Sequence, residues 1–269
     1  MLASRLHQAV KRTASMLLAA GCLVVLAGCV TETTNPVFNV ERSDEEALEN
    51  YLQLAVGYLD ENDLASAKRH LNNAAKIDAN NSEMFSTWGL IYAREGEPEL
   101  AEQSFRRALR IDSSNSKARN NYAAFLFAEN RIEDAYDELE RVVSDTEYPQ
   151  RPQAFENMGI AAQRLNRAED AERAFARAIQ LNPNQLRSAL ELTAINLNRE
   201  DVLQARAYWR NYLTLLQFYR IGHSSRSLLI GARLENALQN EANALQYGEL
   251  LRANFPNSNE YTLYQQEFE

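Results

Sequence analysis

Two runs, Phe85-Ser86-Thr87-Trp88-Gly89-Leu90-Ile91-Tyr92 and Ala101-Glu102-Gln103-Ser104-Phe105-Arg106-Arg107-Ala108, decide the fold. A second clear copy of the spacing begins at Pro152, with Phe155, Met158, Gly159, Ala171, Phe175, Ala178 and Pro183. Weaker copies lie between and around these two. Repeat starts fall at Leu48, Ser82, Ser116, Pro152, Leu186 and Ser225, in steps of 34, 34, 36, 34 and 39 residues.

Counted from each start, position 20 is Ala67, Ala101, Ala135, Ala171, Ala205 and Ala244. Position 8 is Ala55, Gly89, Ala123, Gly159, Thr193 and Ala232, small in all but the fifth repeat. Small residues at these two phases let two helices of one repeat cross closely. Position 24, which packs toward the next repeat, is Leu71, Phe105, Leu139, Phe175, Trp209 and Gly248. A pattern of W-x2-L-G-x2-Y…A-x3-F…P with a period of 34 is that of the tetratricopeptide repeat, a helix–turn–helix unit. The sequence therefore predicts an all-α chain, a right-handed superhelix of six such repeats at 48–81, 82–115, 116–151, 152–185, 186–219 and 225–258. In such a stack each repeat touches only its neighbours. The two extra residues of repeat three fall in Asp145–Arg151, and the five before repeat six are placed at Arg220–Ser224. The tail 259–269, with Tyr261, Leu263, Tyr264 and Phe268, is expected to cover the open end of the core.

The composition agrees with helices joined by short connections. Among 269 residues there are 9 Gly and 6 Pro, too few chain breakers for a fold built on many tight turns. Residues 1–28 read as a secretory signal: Arg5, Lys11 and Arg12 lead into the apolar run 16–26, which is short for a membrane span. Leu26-Ala27-Gly28-Cys29 resembles the lipobox of bacterial lipoproteins, which makes Cys29 the lipidated N-terminus and the lipid anchor to the membrane. Cys22 and Cys29 are the two cysteines, so the chain beyond Cys29 forms no disulfide and no thiolate metal site. Val30 follows the cysteine instead of an aspartate, the inner-membrane retention signal, and the outer membrane, periplasmic face, is the expected location. Residues 29–47 form a polar, Thr-rich tether, in which Ser43 and Glu46 make a capping box for the first helix. Cleavage before Cys29 would remove three basic and no acidic residues and take the net charge from −9 to −12. Such a surface is a poor match for nucleic acid.

Residues that carry chemistry are few. His70 and His223 lie far apart and are assigned to a helix surface and a loop, and the turn Asp60-Glu61-Asn62-Asp63 is read as polar and solvated. No zinc-protease helix motif, phosphate-binding glycine loop or calcium-loop spacing occurs. Neither catalysis, a cofactor, a bound metal nor a small-molecule substrate is expected.

Binding is the remaining possibility, and the fold places it. The first helix of each repeat lines the concave face, through positions 2, 5, 9 and 12. Leu52, Val56, Leu59, Leu90, Phe127, Ile160 and Leu190 are apolar there, and Asn120 stands among them. One reading is a hydrophobic groove for a peptide or an amphipathic helix. The other is that a tight superhelix covers these side chains with neighbouring helices. Repeats that clamp a C-terminal carboxylate resemble one another in carrying Lys at position 5 and Asn at position 9. Position 9 here is Val56, Leu90, Ala124, Ile160 and Ala194, so that clamp is absent.

The lipobox at Leu26–Cys29, the short tether, the stretch Ala65-Ser66-Ala67-Lys68-Arg69-His70-Leu71 and the segments Asn120-Asn121-Tyr122-Ala123, Glu156-Asn157-Met158-Gly159 and Phe255-Pro256-Asn257-Ser258 together resemble the type IV pilus biogenesis and stability family (PilF/PilW). The resemblance covers nearly the whole chain, although much of what matches is common to tetratricopeptide repeats. It implies a pilotin, a lipoprotein that binds the secretin, helps carry it to the outer membrane and promotes its assembly into a ring. Cys29 would be the anchor and repeats one to four the secretin surface. Two other envelope roles fit the same scaffold: outer-membrane protein assembly, and an adaptor for peptidoglycan hydrolases or proteases.

Overall fold

The computed structural model describes residues 43–268; the signal segment, Cys29 and the tether up to residue 42 lie outside the described residues. Thirteen α-helices, and no strand, occur among them. They are α1 (Asp44–Asp60), α2 (Leu64–Ile77), α3 (Ser82–Glu95), α4 (Pro98–Ile111), α5 (Ser116–Ala128), α6 (Ile132–Ser144) and α7 (Arg151–Arg164), then α8 (Ala168–Leu181), α9 (Leu186–Asn198), α10 (Val202–Tyr219), α11 (Ser225–Ala237), α12 (Glu241–Asn254) and α13 (Asn259–Phe268). Odd and even helices from α1 to α12 pair as six successive hairpins. The chain is an all-α tetratricopeptide superhelix.

Each hairpin turns at the same point. Position 15 is Asn62, Gly96, Asn130, Asn166, Glu200 and Gln239, and all six have φ between 58° and 76°. Left-handed backbone is the usual way to end a helix abruptly, and Gly or Asn adopts it at least cost. The second helices open with side-chain caps where the sequence allows: Asp63 accepts from the Ser66 N–H, Asp201 from Gln204 and Asn240 from Asn243.

The crossing of each hairpin is sealed by the predicted small residues. All six position-20 alanines are buried, as are all six residues at position 8. The sizes at positions 8 and 24 are matched. Gly89 lies under the fully buried Phe105 ring and Gly159 under Phe175, where an added Cβ would come within 2.8 Å and 2.7 Å of ring atoms. The smaller Leu71 and Leu139 share a core with Ala55 and Ala123, respectively. Trp209 reaches forward instead, to within 2.9 Å of a Cβ built on Gly231 of the next repeat. Gly248, in repeat six, carries no side chain to fill this position; the buried Tyr264 ring of α13 lies against it and joins Leu228, Leu229, Ala232 and Leu251 in the last core.

Connections between repeats differ in length. Four residues join α2 to α3, α4 to α5 and α8 to α9, whereas six, 145–150, join α6 to α7. The half-buried Tyr148 packs into the core from this longer connection, and Arg151 Nε donates to the Val143 carbonyl at 2.7 Å. Helix α7 packs closely on α6. The extra length before repeat six is taken up mostly by α10, which has 18 residues where α2, α4, α8 and α12 have 14, so it is helix more than loop.

Candidate functional site

On the concave face the first helices are unevenly spaced. α1 packs directly on α3, α3 on α5, and α9 on α11. α5, α7 and α9 stand further apart and are bridged mainly by side chains. Glu156 of α7 is buried and accepts from both the N–H and the hydroxyl of Ser188 on α9, at 2.9 and 2.8 Å, and from Gln153 at 3.1 Å. Gln163 of α7 donates to Glu191 of α9 at 2.8 Å, and Arg226 of α11 forks onto the two Glu191 oxygens at 2.9 and 2.6 Å. Bidentate pairing of this kind is geometrically exacting and strong for a hydrogen bond.

This spacing sorts the candidate residues. Where the first helices pack directly, the concave positions are covered: Leu52 and Leu59 lie in the core shared by α1 and α3, and Leu190 in the core shared by α9 and α11. Those three were expected to face solvent; they are core residues. Val56, Leu90, Asn120, Phe127 and Ile160 are half-buried. A smaller depression of about 130 Å³ lies between α9 and α11, lined by Leu197, Arg226, Ile230 and Arg233, and a larger cleft forms in the wide section. Its volume is about 230 Å³, and Ala123, Ala124 and Phe127 of α5, Asn157 and Ile160 of α7, and Arg187 of α9 line it, with Leu139 behind. Phe127 and Ile160 are thus brought together, while Val56 and Leu90 lie outside it. The Asn120 side-chain oxygen is buried with no hydrogen-bond partner, one turn before Ala124 on the same helix.

Sequence reasoning did not single out Arg187, Asn157 or Arg164 as a group. Arg187 is exposed and forms no ion pair among the described residues. The Arg164 guanidinium sits 5.6 Å from the Phe127 ring centroid and donates to Asn130. A cation over an aromatic face is attracted by the ring's quadrupole. The signal was available: position 2 runs Glu49, Glu83, Lys117, Gln153, Arg187 and Arg226, acidic at one end of the stack and basic at the other.

The remaining features are structural. A wider polar depression of about 690 Å³ lies at the edge formed by Ser113, Ser116, Lys117, Arg141 and Asp145. Its cations are engaged, Arg119 and Arg141 by Glu138 and Lys117 by Glu83. His70 is half-buried, not at the surface, and its ring stacks on Tyr58 at 5.2 Å. His223 does lie in the connection before α11, but its ring is enclosed by Trp209, Tyr212 and Tyr247, with Nδ1 3.1 Å from the Ser227 hydroxyl. Burial there pushes its pKa down. No cluster of three metal-ligating side chains, and no helix long and apolar enough to cross a membrane, occurs among the described residues.

A superhelix of helical hairpins with an apolar cleft on its inner face defines a tetratricopeptide-repeat scaffold, a class of protein that binds other proteins. The tetratricopeptide-repeat family matches at residues 92–150 and again at 152–185. The type IV pilus assembly protein PilF of Pseudomonas aeruginosa is 33% identical over 244 residues, which cover 91% of this chain and 95% of that protein. The solved structure of Pseudomonas aeruginosa PilF superposes with a TM-score of 0.77, over 83% of this chain and 99% of that one. The structure of PilW, described as a widely conserved type IV pilus biogenesis factor, superposes at 0.65 with 26% identity, over 81% and 98%. The chain belongs to this PilF/PilW family of tetratricopeptide-repeat proteins of type IV pilus biogenesis.

Proposed function

We propose that the protein is a pilotin: a lipoprotein anchored through Cys29 to the periplasmic face of the outer membrane, which holds the pilus secretin and promotes its assembly into multimers. Membership of the family supports a role in pilus biogenesis, and the lipobox supports the anchor. The observation that carries the binding role is the cleft in the wide section of the superhelix, where Phe127 and Ile160 keep apolar surface open to a partner. Open apolar surface in a concave groove is a usual seat for a peptide or an amphipathic helix. The groove residues of this reading are Phe127 and Ile160, with Ala124 between them and Asn120 beside them.

The test is the amount of detergent-resistant secretin multimer in outer membranes of a strain lacking the gene, compared with wild type. Multimers should disappear while secretin monomer persists, and a chain carrying Phe127→Ser should fail to restore them while keeping a near wild-type melting temperature. Were Phe127 purely a core residue, its truncation would lower stability by about 3 kcal/mol or more. Unchanged multimers in the deletion strain would end the pilotin reading and leave the repeat scaffold.

A further inference from the structure

Charge on the concave face identifies the chemistry of what the cleft holds. Acidic side chains outnumber basic ones in this chain, 37 to 28, yet many described basic residues form no ion pair, so what singles out Arg187 is its place in the lining of an apolar cleft. At the concave positions 2 and 9 the other cations have taken a carboxylate: Lys117 pairs with Glu83, Arg226 with Glu191 and Arg233 with Glu267. Arg187 lines the apolar cleft and has no ion-pair partner among the described residues. The acid on the neighbouring helix, Glu156, is buried and saturated by Ser188 and Gln153. Arg164 lies over the ring of Phe127 and donates to the neutral Asn130. One guanidinium without a carboxylate, Arg187, therefore lines the apolar space, and a second, Arg164, lies over the ring of Phe127, one of its walls.

The size of that space narrows the choice further. At about 230 Å³ it falls below the range of roughly 300–1,000 Å³ that small-molecule pockets occupy. It suits one or two side chains of a longer segment lying along the groove. We propose that the cleft takes a peptide segment of the partner in which an apolar side chain stands within a helical turn of an Asp or Glu. The apolar group fills the space between Phe127 and Ile160, and the carboxylate pairs with Arg187. Asn157, at the same rim, offers an amide to the segment's backbone. The recognition is of a side-chain carboxylate within a segment, and differs from the terminal-carboxylate clamp that positions 5 and 9 rule out. Arginine suits the task because its planar fork meets a carboxylate in two parallel hydrogen bonds. At physiological ionic strength the net negative charge of the rest of the molecule is screened beyond about 8 Å, so the local cations govern the encounter.

This inference rests on the reading of the concave face as the partner surface, and a test on the purified full chain separates the two. A library of random short peptides is selected on the wild-type protein and on Arg187→Glu. On wild type, the enriched peptides should carry Asp or Glu within four residues of Leu, Ile, Val or Phe. Labelled copies of those peptides, titrated by fluorescence anisotropy, should lose affinity by about tenfold or more on Arg187→Glu and on exchange of their own acid for the amide. Arg206→Glu, on an exposed part of α10, should bind as wild type does, and peptides selected on Arg187→Glu should carry Lys or Arg instead. The proposal is overturned if the enriched peptides show no acidic bias, if Arg187→Glu binds them unchanged, if no peptide is enriched, or if inorganic phosphate displaces them at equal concentration. Loss of secretin multimers in the deletion strain with no acidic bias would sink this chemistry and spare the pilotin. Acidic peptides with unchanged multimers would do the reverse.

Discussion

Gly89 and Phe105 meet where α3 crosses α4, and a Cβ on Gly89 would lie 2.8 Å from three atoms of a ring that is itself fully buried. The ring cannot retreat, because Tyr122 and Phe125 pack on it from the next repeat at centroid distances of 5.7 and 5.5 Å. Overpacking of this kind typically costs about 1–3 kcal/mol. Gly89→Ala should lower the urea midpoint accordingly, and Phe105→Leu placed in the same chain should recover part of the loss. Repeats one and three already use that Ala–Leu combination. A double-mutant cycle by urea denaturation checks it, and strict additivity of the two changes would refute the coupling. The need for small residues at positions 8 and 20 was legible in the sequence because it recurs in phase, six times at position 20 and five at position 8. The matching of position 8 to position 24 is present in the sequence too, but only as a correlation between separate helices. Trp209 breaks it, since nothing local says that its ring turns toward Gly231.

Among elements, polar ties supplement the apolar cores that adjacent repeats share. Glu102 of α4 accepts from Arg106 on its own helix at 2.8 Å, from the Tyr122 hydroxyl of α5 at 2.9 Å and from Arg131, ahead of α6, at 2.9 Å. These donors, Arg131 first, hold its pKa down to about 2 from an ordinary 4.5. The unfolded chain therefore takes up the proton more readily, and the stabilisation is complete above about pH 4.5 and is lost as the pH falls toward 2. Glu102→Gln should cost about 1–2 kcal/mol at pH 7, and its melting temperature should converge on that of wild type between pH 4.5 and 2. Circular dichroism melts across that range check it; a gap independent of pH would mean that the carboxylate contributes nothing by its charge. The same scale explains the candidate-site residues that the sequence misplaced. Repeat phase correctly put Leu52, Leu59 and Leu190 on the first helices, but their exposure depends on the distance to the next first helix. That distance differs along the stack: a six-residue connection separates α5 from α7, and α7 and α9 stand apart with buried bridges such as Glu156–Ser188 between them. Periodicity within one helix carries no information about either. Arg187 and Glu191 escaped notice for the same reason, since a charged residue reads as solvated until its partners are known.

The molecule as a whole behaves as a row of neighbours. Each hairpin packs on the one before and the one after, and no described core links the first repeats with the last. Stability in such an array is close to a sum of repeat and interface contributions, so damage should stay local. The sharpest place to ask is the end of the stack, where Tyr264 of α13 packs against Gly248 of α12 so closely that any Cβ there would overlap the phenol ring. Gly248→Ala should displace Tyr264 and with it the cover that α13 places over Leu228, Leu229 and Leu251. Amide hydrogen exchange is the fitting readout, because it reports opening element by element. Exchange in α11, α12 and α13 should accelerate, with α10 affected through Trp209 and Gly231, while α1 to α6 keep wild-type protection. The cleft between α5, α7 and α9 lies between these limits, one to three hairpins from the lesion. If protection fell uniformly from α1 onward, the stack would be one cooperative unit, and the capping helix would then control the distant cleft as well as its own repeat.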